Sequence, residues 1–85
     1  MKICVAVFRS RTQVFSFIEA MRDIGVSCNS ITTPKEASIG CGISAQFSPL
    51  YLSTASTVIK SRGFSAFYGF FVITKVGGKT TTVRF

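Results

Sequence analysis

A chain of 85 residues, 47% apolar and with nine Phe, has enough apolar surface to fold as one domain (1–85) and too little length for two cores, which excludes a disordered chain. Ten Lys and Arg against three Asp and Glu, a formal charge of +7, give a basic surface suited to anionic partners: nucleic acid, an acidic protein or a small anionic substrate. With no His and three widely spaced Cys, the composition argues against a metal centre, a disulfide framework and a resident cofactor.

Lys2 to Phe8 is a continuous β-branched and aromatic run, the pattern of a central strand. It is far shorter than the ~20 apolar residues of a membrane span and lacks the form of a secretory leader, so a cytosolic protein with no membrane partner is expected. Ser10-Arg11-Thr12-Gln13 fits a capping box, in which the Ser10 hydroxyl accepts from the Gln13 amide while the Gln13 side chain reaches back. The helix that starts there has Val14, Phe17, Ile18, Met21 and Ile24 on one face and stops at Gly25.

Val26 to Thr32 offers a second strand with Val26, Cys28 and Ile31 directed inward. The Thr33-Pro34 step ends it, because the residue before proline is pushed to extended geometry. After the loop that holds Cys41, Ile43-Ser44-Ala45-Gln46-Phe47 alternates with period two and predicts a third strand. Ser48-Pro49 reads as N-cap and first helical position of a second helix running to about Arg62. Its expected buried side is Tyr51, Leu52, Ala55, Val58 and Ile59, and Gly63 stops it. Phe64 to Val76 is strand-like, although Ser65, Ala66 and Gly69 interrupt its first half. Gly77-Gly78 signals a hairpin, and Lys79 to Phe85 a last strand.

This order, βαββαβ with a terminal hairpin strand, predicts an α+β fold: a ferredoxin-like antiparallel sheet with two helices on one face. Such a topology places the third strand beside the first. It brings the loop between the second and third strands, with Cys41 between Gly40 and Gly42, to the end of the sheet where Arg9, Ser10 and Arg11 open the first helix. A helix N-terminus with nearby cations favours a thiolate or a bound anion, and Lys35 belongs to the same loop. Cys4 and Cys28, in apolar strands, read as small core residues.

Three segments carry a family likeness: Phe8-Arg9-Ser10-Arg11-Thr12, Thr33-Pro34-Lys35-Glu36-Ala37-Ser38-Ile39-Gly40-Cys41-Gly42-Ile43, and Phe64-Ser65-Ala66-Phe67-Tyr68-Gly69-Phe70-Phe71. Together they resemble the small bacterial selenium/sulfur carrier protein-like family. The most specific part is a proline, a basic residue, a short spacer and Cys-Gly, supplied by Pro34, Lys35, Cys41 and Gly42. The family pattern often has Arg after the proline, and Lys35 keeps the charge without the bidentate fork. The resemblance implies a persulfide or perselenide carried on Cys41, with Arg9, Ser10, Arg11, Pro34, Lys35, Gly40 and Gly42 around the anion or the partner. It also implies donor and acceptor proteins as partners.

Without a His, and with Glu36 the one carboxylate near Cys41, a carrier or relay protein is expected ahead of a self-contained enzyme. A second class is a basic binding module, since sheets with aromatic faces bind single-stranded RNA. Arg62-Gly63-Phe64-Ser65-Ala66-Phe67 matches the RNA-recognition octapeptide only in part and falls on the fourth strand. A homodimer through the terminal hairpin or the Phe-rich strand is a further expectation.

Overall fold

A computed structural model describes residues 1–35 and 41–85. The strands are β1 (Lys2–Phe8), β2 (Cys28–Thr32), β3 (Ile43–Phe47), β4 (Phe67–Val76) and β5 (Lys79–Arg84), and the helices are α1 (Arg11–Asp23) and α2 (Leu52–Arg62). The α+β class is as the sequence predicts. All five strands join one antiparallel sheet in the order β2-β3-β1-β4-β5. No helix among the described residues is long and apolar enough to cross a membrane.

The period-two alternation divides β1 between two faces. Cys4, Ala6 and Phe8 join a cluster with Phe17, Met21, Ala55 and Val58, so both helices pack on that face. Val5 and Val7 point the other way and cluster with Phe71 and Ile73 on the helix-free face, the one that carries neither α1 nor α2. On the helix side the rings interlock: Phe8 meets Phe17, Phe64 and Phe67 at centroid distances of 5.4, 5.6 and 5.5 Å. Each such buried ring contributes roughly 1.5–3 kcal/mol through area alone. Phe47 and Phe70 continue the cluster at 6.1 Å.

Local signals set the ends of α1. Ser10, in extended backbone, accepts from the Gln13 amide at 3.4 Å as predicted. The other half of the predicted capping box is absent, because the Gln13 side chain is used elsewhere: its Nε2 donates to Ser65 Oγ at 3.1 Å and its Oε1 accepts from the Ala66 amide at 2.9 Å. At the far end Gly25, at φ +82°, lets its amide reach Arg22 O and the Val26 amide reach Met21 O, a Schellman motif closed by apolar contact between Val26 and Met21. Ile24, predicted on the buried face, falls at this cap and is 53% exposed.

Three further expectations differ from the structure. Ile31 lies three residues after Cys28, an odd step in a strand, so it faces the helix-free side while Cys28 is buried under α1. The Ser48 side chain accepts from the Leu50 amide, which closes a single 3-10 turn over Pro49–Tyr51 before α2 starts at Leu52 and leaves Tyr51 exposed. Phe64 to Ala66 form a turn, with the Phe67 amide donating to Phe64 O, and β4 begins only at Phe67.

Pairing of β4 with β1 slips by one residue between Val7 and Phe8, since Val7 faces Gly69 and Phe8 faces Phe67. The bulge makes Tyr68 the extra residue and directs its ring to the helix-free face, against that cluster and stacked on Phe71 at 6.2 Å. The Gly77-Gly78 hairpin forms as predicted, with both residues at positive φ.

Candidate functional site

The loop between β2 and β3 is built on the last rung of their ladder. Thr32 pairs with Ile43, the Thr33 amide donates to Gly42 O at 3.0 Å, and the Thr33 and Ser44 hydroxyls share a hydrogen bond at 2.7 Å. Cys41 sits directly above this clamp. Gly42 follows at φ +85°, a conformation that other L-residues resist, and a Cβ placed on it meets nothing within 4 Å. Backbone geometry therefore requires the glycine, and the space beside it is open.

Antiparallel pairing of β3 with β1 carries Cys41 to the end of β1. Its Sγ lies 3.8 Å from Phe8 O and 3.5 Å from Ile43 O, so the thiol donates towards two backbone carbonyls. The residue is half-buried and packs against the helix-side core. Cys4 and Cys28 differ sharply, at 0% and 1% exposure. Burial pushes the Cys4 thiol up to about 11, opposed by a hydrogen bond from the Val5 backbone. Burial also pushes Cys28 up to about 11, opposed by the Arg22 guanidinium. All three sulfurs are free thiols.

The predicted site residues fall as follows. Ser10 caps α1 two residues after Phe8, and Arg11, exposed, is the first residue of that helix. Pro34 is half-buried, while Lys35 and Gly42 are exposed on the Cys41 loop. Gly40 and Glu36 lie outside the described residues. Arg9 is anchored through its amide to Ala66 O at 2.8 Å, and its guanidinium lies 5.7 Å from the centre of the Tyr68 ring. That ring belongs to the helix-free cluster, whereas Cys41 packs with the helix side. Cys41 is thus joined to the backbone at the end of β1, and the Arg9 side chain is directed to the opposite face.

Two residues at this end of the sheet escaped the sequence reading. The Arg84 guanidinium stacks on Tyr68 at 4.4 Å and donates to Tyr68 OH and Tyr68 O at 3.2 and 3.1 Å. The available signal was Gly69, which leaves room for that guanidinium: a Cβ there meets Arg84 Nε at 3.2 Å. Among the described residues no three His, Cys, Asp or Glu gather as a metal site would need.

A comparison with family models finds a match to the family described as "Putative Se/S carrier protein-like", over residues 3–67. The match spans β1 through the first residue of β4 and includes the Cys41 loop. No curated protein and no solved structure matches.

Proposed function

The chain belongs to the Se/S carrier protein-like family, and from that membership we propose that Cys41 is the carrier atom's anchor, holding a sulfane sulfur or selenium between a donor and an acceptor protein. The single observation that carries this reading is the contrast among the thiols. Cys4 and Cys28 are sealed at 0% and 1% exposure, while Cys41 is half-buried on a loop whose next residue, Gly42, is exposed.

The chemistry is sulfur transfer without net redox change. The Cys41 thiolate attacks the outer sulfur of a donor cysteine persulfide, a bond forms between those sulfurs, the donor's S–S bond breaks, and the donor leaves as a thiolate. The outer sulfur keeps its proton, so Cys41 ends as a persulfide. Delivery to the acceptor is the same exchange with an acceptor thiolate as the nucleophile. Selenium follows the same course as a perselenide. The chain has no His to act as a base, so the Cys41 proton leaves to solvent or to the donor, and the protein serves as a carrier working with enzymes.

The position at the end of β1 supports the anion-holding part of this proposal. The contact of Sγ with Phe8 O fixes this position, and that carbonyl accepts from the protonated thiol; α1 begins at Arg11, so free amides of its first turn lie at the same end of the sheet and would hold the anion once the proton has left. Lys35, Ser10, Arg11, Pro34 and Gly40 complete the proposed setting. The fold is read as ferredoxin-like, because from the far edge the strands run β4-β1-β3-β2 with both helices on one face, and β5 extends the β4 edge. Free thiols suit a reducing cytosol.

The test is incubation of the folded protein with glutathione persulfide or glutathione perselenide, followed by mass spectrometry under non-reducing conditions. A single added sulfur or selenium on Cys41, abolished by Cys41→Ala and kept in Cys28→Ala, is expected. An adduct shared equally by the three thiols, or formed only after unfolding, overturns the proposal.

A further inference from the structure

The helix-free face of the sheet carries a second constellation that sulfur transfer leaves unused. Its floor is apolar: Val5, Val7, Phe71 and Ile73 are between 0% and 7% exposed although neither α1 nor α2 packs on them. Over that floor two guanidinium groups converge on one ring, Arg84 at 4.4 Å and Arg9 at 5.7 Å from the centre of Tyr68. Strand alternation puts Lys75 on the same face, two residues beyond Ile73.

Among the described residues no acidic side chain faces these charges. Among the described residues the acidic side chains are Glu19 and Asp23, both on α1, which packs against the opposite face. Like charges brought to one ring without a counter-ion repel each other, and the charge complement of the face is an anion. Arg84 is moreover held in place by its two hydrogen bonds to Tyr68. A fixed guanidinium loses little freedom when it meets a ligand.

We propose that this face binds single-stranded nucleic acid, with a base stacked on the Tyr68–Arg84 platform and backbone phosphates held by Arg9 and Lys75. Three features select that occupant. Bases stack on aromatic rings and on guanidinium planes, and this platform offers one laid on the other. An acidic peptide, by contrast, pairs its carboxylates with the edges of guanidinium groups and leaves the stacked Tyr68–Arg84 plane unused. A second copy of the chain packed by the same face would set Arg9 and Arg84 against cations like themselves, with no acidic side chain among the described residues of that face to separate them. The activity is independent of Cys41, which packs with the helix side.

Fluorescence anisotropy of a labelled single-stranded oligonucleotide of about twelve nucleotides, titrated with the full chain at about 50 and about 200 mM salt, tests this. Saturable binding that weakens roughly sevenfold over that salt range is expected for about two phosphate contacts. Tyr68→Leu and Arg84→Ala each weaken it at least about fivefold, the lower end for one stacked base. Arg84→Lys keeps the charge, loses the plane and weakens it also, which guards against a folding artefact in the alanine variant. Lys60→Ala on α2 and Cys41→Ala leave it within about twofold. Of the two tyrosines, Tyr51→Phe leaves Tyr68 alone, and its emission is quenched on binding. The proposal is overturned by absence of binding at the lower salt, by equal losses from Lys60→Ala and Arg84→Ala, by a duplex of the same length binding as tightly, or by an acidic peptide displacing the oligonucleotide from Tyr68.

Discussion

Cys41 Sγ lies 3.8 Å from the carbonyl oxygen of Phe8, a residue 33 positions earlier in the chain. That contact places a half-exposed thiol at the end of the central strand, while the other two thiols are enclosed in the sheet. Alkylation with iodoacetamide of the native protein therefore labels Cys41 at least about a hundredfold faster than Cys4 or Cys28, which react only when the core opens. Peptide mapping of a time course reads the three rates directly. Comparable rates would remove the contrast on which the carrier reading stands.

The enclosed thiols set a limit on stability in alkali. Cys4 and Cys28 are raised from the usual 9.0 to about 11 by burial, so the native state keeps protons that the unfolded chain gives up above 9. Their contribution is fully present below that point, falls as pH rises from 9 towards 11, and is lost beyond it. Each thiol accounts for about 2 to 3 kcal/mol at the end of that window. Urea titrations at intervals across it should show the unfolding free energy falling, and Cys28→Ala should remove about half of the slope. A flat profile would mean that these sulfurs ionise as readily inside the fold as outside it.

Gly42 is needed for its backbone and not for space, since its φ is +85° and a Cβ there has nothing within 4 Å. Gly42→Ala is expected to cost about 1 kcal/mol, Gly42→Asn less and Gly42→Val more, following the tolerance of each for a left-handed backbone. Thermal melts of the three variants give the order. If Gly42→Val were as stable as the parent, the loop base at Thr33 and Gly42 would be able to relax, and the fixed position of Cys41 would go with it.

Signals confined to a few neighbouring residues were readable in the sequence, and those that depend on a partner strand were not. The alternation of Ile43 to Phe47 predicted β3 without error in its bounds, and Ser10 and Gly25 marked α1, because capping and pleating are settled within a few residues. The bulge at Tyr68 follows from how β4 pairs with β1, so nothing in Phe67-Tyr68-Gly69 announces which ring changes face. Ile31 is a different case. Its odd spacing from Cys28 already placed it on the other side, and reading it by hydropathy alone misassigned it. Around the candidate site, the placement of Cys41 at the end of β1 was legible from the strand order. The direction of the Arg9 side chain was not, since it is set by a ring 59 residues away in sequence whose position the bulge decides.

Gln13 ties the start of α1 to the turn before β4 through two hydrogen bonds, accepting from the Ala66 amide and donating to Ser65. Gln13→Ala leaves the part-buried Ala66 amide without that acceptor and should cost about 1 to 2 kcal/mol. In Gln13→Glu one oxygen still accepts from Ala66, the other accepts from the Ser65 hydroxyl, and the new charge lies in the first turn of a helix, where it is favoured. That variant is expected to match the parent. Equal destabilisation by both substitutions would show that the side chain acts through packing and not through these bonds.

The replacement of Gly69 by Ala separates the stacked platform from the stability of the sheet. Gly69 has ordinary strand backbone, and an added Cβ meets Arg84 Nε at 3.2 Å and a terminal nitrogen of the same guanidinium at 3.3 Å. The atoms it meets are the far end of one side chain, so the guanidinium is pushed out of its seat on Tyr68 while the backbone of the sheet stays. Alanine also removes the entropic disadvantage of glycine within a strand, so the melting temperature of Gly69→Ala should be unchanged or slightly higher. The stack of Arg84 on Tyr68 should be disturbed, with a change in Tyr68 emission in the Tyr51→Phe background. Affinity for a single-stranded oligonucleotide should then fall several-fold, while alkylation of Cys41 proceeds at the parent rate. A variant that binds as the parent does while its Tyr68 signal has moved would show that the platform takes no part in holding a base.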